Sequence, residues 1–243
     1  MGTAIVITSG KGGTGKTALT CGVGASLARL GNRVLCLDMD VRNLDLTLGM
    51  TDRALMDFTD VLFDRCPLER AAVPHPKVEN LFLLTAPVTW GPVPVSQSSL
   101  KRLMNEVRSH FDYCLIDCPA GIGPGFHLAV CAADRAIVVV TTDSASLRDA
   151  QQVVSQLHRY HIPVQLVVNR ISRWMIRRLG LNVDDAMDTA GLPLLGIVPE
   201  DRKVALYGAR GELLQLPESQ GVTRAWRNIA GRLAGKRVPV GWR

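Results

Sequence analysis

The chain has 243 residues, a formal charge of +6, 47% apolar residues and only 5% aromatic ones. That length fits one α/β domain or two small ones around an aliphatic core, and no apolar run approaches the ~18–20 residues of a membrane span. Cysteines at 21, 36, 66, 114, 118 and 131 form no Cys-x-x-Cys pair, so neither a zinc site nor a thioredoxin motif is indicated, and the positive charge permits contact with nucleic acid or acidic lipid without requiring it.

Residues 3–8, Thr-Ala-Ile-Val-Ile-Thr, are β-branched and apolar and predict a buried strand almost at Met1. A signal peptide is therefore not expected, and Val6 stands where myristoylation needs Ser or Thr. A cytoplasmic protein follows, with the cysteines as small core residues in a reducing compartment. Next comes Ser9-Gly10-Lys11-Gly12-Gly13-Thr14-Gly15-Lys16-Thr17, in which Gly10, Gly15, Lys16 and Thr17 complete G-x-x-x-x-G-K-[ST]. Glycines let the backbone fold its N–H groups inward around phosphate oxygens, and a helix predicted over 18–30 adds positive charge at its start. Lys16 would reach the β- and γ-phosphates and Thr17 would bind Mg²⁺. ATP binding is thus expected across Gly10, Lys11, Gly12, Gly13, Thr14, Gly15, Lys16, Thr17 and Ala18. The alternative is a glycine-rich turn that binds nothing, against which the order strand, loop, helix argues. Lys11 on charge alone would point to solvent.

Further along, 33–37 reads as a strand ending at Asp38-Met39-Asp40, 52–63 as a helix and 81–84 as a short strand. Residues 85–96 read as a loop, 99–110 as a helix and 113–117 as a strand running into Cys118-Pro119-Ala120-Gly121. Strands are also predicted over 136–141, 164–168 and 194–198. A helix capped by Asp143 or Ser144 carries an apolar stripe of Leu147, Ala150, Val154 and Leu157. No repeat or composition break divides the chain. Alternating strands and helices predict a single α/β domain of the P-loop NTPase class, a mainly parallel sheet with helices on both faces. Ligands in such sheets sit beyond the carboxyl ends of the strands. That edge collects Asp117, a second Mg²⁺ ligand with Asp40, and Gly121, whose N–H could sense a γ-phosphate or which could simply serve the turn. It also collects Asn169, able to read an adenine edge or to cap a turn, with Arg170 beside it, and Pro199, Glu200 and Asp201.

Basic residues cluster at Arg170, Arg173, Arg177 and Arg178, and again from Arg224 to Arg243. The last helix sets Val222, Ala225, Trp226, Ile229 and Leu233 on one face, with Arg224, Arg227, Asn228 and Arg232 opposite. Periodicity alone suits either docking on a core or lying on acidic lipid.

Lys11-Gly12-Gly13-x-Gly15-Lys16-Thr17 resembles the deviant Walker A motif of the MinD/ParA group of ATPases. The likeness extends through Arg42-Asn43-Leu44-Asp45, Ile116-Asp117-Cys118-Pro119-Ala120-Gly121, Ser146-Leu147-Arg148-Asp149-Ala150, Val168-Asn169-Arg170 and Gly196-Ile197-Val198-Pro199-Glu200-Asp201. These segments look more like the MinD branch than the ParA branch. The resemblance implies an Mg²⁺-dependent ATPase, slow without an activator, that dimerises with ATP. It implies that Lys11 reaches the partner's nucleotide and that Asp40, in switch I, positions the attacking water, making Lys11, Lys16 and Asp40 the catalytic set. It further implies a homodimer that recruits a MinC-like division inhibitor, is stimulated by a MinE-like activator, and uses Arg148 and Asp149 in its partner surface. Val41 alone joins Asp40 to Arg42, which shortens switch I by two residues relative to the family. After Val238-Pro239 only Val240, Gly241, Trp242 and Arg243 follow, so the family's membrane-targeting helix is expected to be missing and peripheral membrane binding weak. The competing readings are a ParA-like or flagellar-number ATPase binding DNA or another partner, a ligase of the dethiobiotin synthetase kind, for which no extra substrate site is evident, and an iron–sulfur carrier of the Mrp kind, against which the missing Cys-x-x-Cys weighs.

Overall fold

A computed structural model of the chain describes residues 1–40, 43–89, 95–172 and 183–240. Among these, eight strands form one sheet: β1 (Thr3–Thr8), β2 (Val34–Asp38), β3 (Val73–Pro74), β4 (Leu81–Leu84), β5 (Tyr113–Asp117), β6 (Arg135–Val140), β7 (Val164–Ile171) and β8 (Leu194–Pro199). Their order is β3-β4-β2-β5-β1-β6-β7-β8. Neighbours run parallel except the two-residue edge pair β3–β4. Strand β1 lies between β5 and β6: the chain runs from β1 out to the β3 edge and back to β5 on one side, then outward through β6, β7 and β8 on the other. The switch point therefore falls at its carboxyl end, where ligands of open α/β sheets sit.

The described helices are α1 (Lys16–Arg29), α2 (Leu44–Leu48), α3 (Phe58–Leu62), α4 (Leu68–Ala71), α5 (Gln97–His110), α6 (Pro124–Cys131), α7 (Ser144–Leu157), α8 (Val183–Ala190), α9 (Arg202–Ala209) and α10 (Gly221–Leu233). Successive strand residues face opposite sides of a sheet, and β1 shows it. Ala4 and Val6 join the apolar layer under α5, α6 and α7, whereas Ile5 and Ile7 join the layer under α1 and α10. Both faces are covered, and this explains the continuous apolar strands.

Several local expectations shift. Residues 52–63 are helical only over Phe58–Leu62. Asp57 caps that helix by accepting from the Thr59 N–H, and Asp60 returns a bond to the Asp57 N–H. The reciprocal cap starts the helix late and leaves Leu55 and Met56 exposed before it. In α7, Ala150, Val154 and Leu157 are buried as the stripe predicts, but Val153 is fully buried as well. The last helix is docked: Trp226 is 4% exposed, and its indole lies so close over Gly22 of α1 that a Cβ there would overlap the ring. Arg232 departs from its expected polar face. It donates to the Leu195 carbonyl at 2.8 Å and the Val238 carbonyl at 2.9 Å, tying β8 to the chain after α10. All six cysteines are free, and all but Cys131 are buried. No described helix is long and apolar enough to cross a membrane. Arg42 and the shortened junction at Val41, part of the 85–96 loop, Arg173, Arg177, Arg178 and Arg243 lie outside the described residues.

Candidate functional site

The loop between β1 and α1 opens onto a cavity of about 690 Å³, lined on one side by Gly12, Gly13, Gly15, Lys16, Thr17 and Ala18. Asp40, Asn43 and Thr47 form a second wall, and Asn169, Arg170, Pro199, Glu200 and Asp201 a third. Gly13 and Gly15 have φ of 77° and 92°, which residues with a Cβ avoid. A Cβ on Gly12 or Gly13 would meet nothing within 4 Å, so the cradle is open above them. Lys16 is 7% exposed in its floor. The Thr14 hydroxyl is buried and has no partner among the described residues. The cradle therefore fits a polyphosphate on this chain's own geometry.

The carboxylates sit where β2 and β5 end in register, Asp38 beside Asp117. Asp117 is fully buried. Its Oδ2 accepts from the Thr17 hydroxyl at 2.7 Å, and the Thr20 hydroxyl stands 3.4 Å from Oδ1. Burial pushes its pKa up to about 7; the Thr17 bond opposes the rise and Asp38 adds to it. A buried carboxylate kept near neutrality with a hydroxyl beside it suits a divalent cation, which would favour the ionised form. No cluster of three or more His, Cys, Asp or Glu ligands exists among the described residues. Thr17 and Asp117 would thus hold Mg²⁺ only together with phosphate oxygens and water, the usual manner for that ion.

Asp38 plays a different part. It is fully buried and accepts from the N–H groups of Asp40 at 3.0 Å and of Asn43 and Leu44 at 3.1 Å. Burial raises its pKa and those bonds counter the rise. It organises the turn that carries Asp40, which is half-buried at the cavity wall.

Three expected residues take other partners. The Gly121 N–H donates to the Ser9 carbonyl at 2.9 Å and its φ is 81°. That N–H is thus paired within the protein in this structure, as the turn reading expects. Asn169 is buried, and its amide donates to the Thr14 carbonyl at 2.7 Å, so at least one donor meant for a base holds the loop instead. Lys11 neither extends into solvent nor enters the cavity. Its Nζ lies 2.7 Å from Asp143 Oδ1, at the cap of α7. Burial pushes the Asp143 carboxyl up, but the bonds from Lys11, Thr141 and the Ser146 N–H outweigh it and hold the pKa at about 2. Of the pair on α7, Arg148 is exposed, and the Asp149 backbone packs so closely on Gly10 that a Cβ there would overlap it. Gly10 therefore faces α7, and the loop and that helix touch. Sequence reading missed the α9 wall, where Val204, Ala205 and Gly208 close the cavity; the Asp201 cap preceding that helix was the available signal.

Residues 2–165 match the AAA domain family. The septum site-determining protein MinD of Synechocystis is 40% identical over 244 residues, covering 98% of this chain and 92% of the relative. A chain of the MinC:MinD cell division protein complex of Aquifex aeolicus superposes with a TM-score of 0.92 at 38% identity, over 98% of both chains. The septum site-determining protein MinD of Pyrococcus horikoshii, solved in complex with Mg-ADP, superposes with a TM-score of 0.85 at 28% identity, over 96% of both chains.

Proposed function

The chain belongs to the MinD family of the MinD/ParA group of ATPases, and from that premise we propose that it is an ATP-driven dimerising switch for division-site placement, acting as one domain. The observation that carries this reading is the pair of lysines on one loop: Lys16 in the cradle floor, and Lys11 outside it on the rim beside α7. A cradle lysine neutralises phosphate charge in its own chain. A second lysine outside the cavity, held at the rim by Asp143, is placed to serve a nucleotide that another molecule brings to it.

In this proposal the N–H groups of Gly12, Gly13, Thr14 and Gly15, with Lys16, bind the phosphates of ATP. Thr17 and Asp117 would hold Mg²⁺, which would supply charge neutralisation at the phosphates. Asp40 orients the attacking water, and Asp38 fixes the turn that aims Asp40. Pro199, Glu200 and Asp201 flank the base. Lys11 leaves Asp143 and reaches the partner's phosphates, adding positive charge where it develops in phosphoryl transfer. The dimer then recruits a MinC-type division inhibitor, and a MinE-type activator stimulates hydrolysis. Arg148 and Asp149 lie on the helix that abuts Gly10, so a partner seated there would feel the state of the loop. The burial of Trp226 on the core supports a docked rather than lipid-facing role for α10. The test is capture of the protein on an immobilised MinC-type inhibitor. Retention with Mg²⁺-ATP and release with Mg²⁺-ADP support the proposal. Equal retention with both, or none with either, overturns it.

A further inference from the structure

Consecutive residues of a regular strand point to opposite faces of the sheet. Asn169 and Arg170 are adjacent on β7, yet both side chains reach the phosphate loop. Asn169 Nδ2 donates to the Thr14 carbonyl at 2.7 Å, and Arg170 Nη1 donates to the Gly13 carbonyl at 3.0 Å. The pairing with β8 explains how. Val168 pairs with Ile197 and Ile171 with Pro199, so Asn169 and Arg170 together stand opposite Val198 alone. The strand bulges by one residue, which re-aims a side chain.

Arg170 occupies the bulge with φ of 57°, a left-handed backbone that a Cβ disfavours and glycine accepts freely. Local backbone preference therefore does not select arginine here. Its side chain does have two polar contacts, the Gly13 carbonyl and, at 3.3 Å, Glu200 Oε1 at the end of β8. Glu200 also lines the cavity, so Arg170 links the loop to the opposite wall. Backbone held in a sparsely populated region by surrounding contacts is characteristic of sites where geometry must be exact.

We propose that the β7 bulge is a positioning device for phosphate binding, in which Asn169 and Arg170 fix the carbonyls of two consecutive loop residues and so preset the cradle. A peptide unit is planar, with its C=O and N–H opposed. Fixing the Gly13 and Thr14 carbonyls therefore fixes the N–H groups of Thr14 and Gly15. Arg170 acts through the loop and needs no contact with the base. This rests on the reading of the loop as a nucleotide phosphate site and adds residues outside the Walker motif to it.

Arg170→Gly separates the role from folding, because glycine suits the left-handed backbone while removing both side-chain contacts. Calorimetry with Mg²⁺-ATP, Mg²⁺-ADP and inorganic tripolyphosphate reads the effect. The expected result is a melting temperature equal to or above the parent's, with all three ligands weakened about tenfold, the usual scale for losing a charge-assisted hydrogen bond. Arg170→Lys keeps one donor and should recover part of the loss for all three. Binding of all three by Arg170→Gly within twofold of the parent overturns the proposal. So does a loss confined to ATP and ADP, which would place Arg170 on the base, or a parent that binds ATP but not tripolyphosphate, since a preset cradle holds phosphate without the base. A parent that binds neither ATP nor ADP refutes the nucleotide reading itself and this inference with it.

Discussion

Replacing Asp117 with asparagine isolates what it costs to hold a metal-site carboxylate out of water. Its pKa rises from 3.8 to about 7, chiefly through burial. Between those values the folded chain keeps a proton that the unfolded chain has lost. Stability therefore falls as pH rises through that window, and the penalty is complete above pH 7. A shift of roughly three units corresponds to at most about 4 kcal/mol. Asparagine removes the charge with little change of shape. Its Oδ1 can still accept from Thr17, and its Nδ2 can donate to the Thr20 hydroxyl, which spends its own proton on the Lys16 carbonyl. In magnesium-free buffer at pH 8, Asp117→Asn should melt above the parent by on the order of 5–10 °C, at a few degrees per kcal/mol for a chain of this size. The gap should narrow towards pH 5, where the parent's carboxyl is protonated. Mg²⁺-ATP should stabilise the parent and leave the variant nearly unmoved. The test is differential scanning calorimetry across this pH range. A variant less stable at pH 8, or a gap that is the same at pH 5 and pH 8, would refute the reasoning.

Four further outcomes are expected. Lys16→Ala removes the cation in the cradle floor, so calorimetric affinity for Mg²⁺-ATP should fall at least a hundredfold, on the scale of a buried charged partner lost; unchanged affinity would show that phosphate does not bind there. Lys11→Ala and Asp40→Ala should each be inactive alone yet regain turnover on mixing, because one heterodimer site then receives an intact lysine in trans; no gain with heterodimers shown to form would count against that role. With the other tryptophans replaced by phenylalanine, Trp226 should resist iodide quenching equally with and without acidic liposomes, and Gly22→Ala should destabilise the fold by about 1–3 kcal/mol because its Cβ overlaps the indole; a lipid-induced blue shift of Trp226 would make α10 a membrane contact.

The phosphate loop was legible in the sequence because its geometry is local. Glycine positions and the flanking strand and helix are set by a few adjacent residues. Asp38 and Asp117 were legible for a related reason, since each closes an apolar run and so falls at the sheet edge that faces the loop. The stripe on α10 gave a face but not its counterpart, which the structure shows in Gly22 of α1 under Trp226 and Gly196 of β8 under Ile229. The start of α3 was readable from Asp57 and Asp60 at cap spacing, but the apolar residues before it suggested a longer helix. The β7 bulge was not readable. Nothing in Val-Val-Asn-Arg-Ile marks one residue as extra, and a left-handed arginine carries no sequence signal of the kind glycine does. The bond between Lys11 and Asp143 joins residues 132 apart in the chain and exists only once β1 and β6 lie side by side.

Light scattering on the purified protein, run with Mg²⁺-ATP, with Mg²⁺-ADP and without nucleotide, tests the switch most directly. A molar mass that doubles only with Mg²⁺-ATP, returns to the monomer as ATP is consumed, and never doubles in Lys11→Ala is the predicted result. A mass that is the same in all three conditions, or a Lys11→Ala chain that dimerises like the parent, would contradict it.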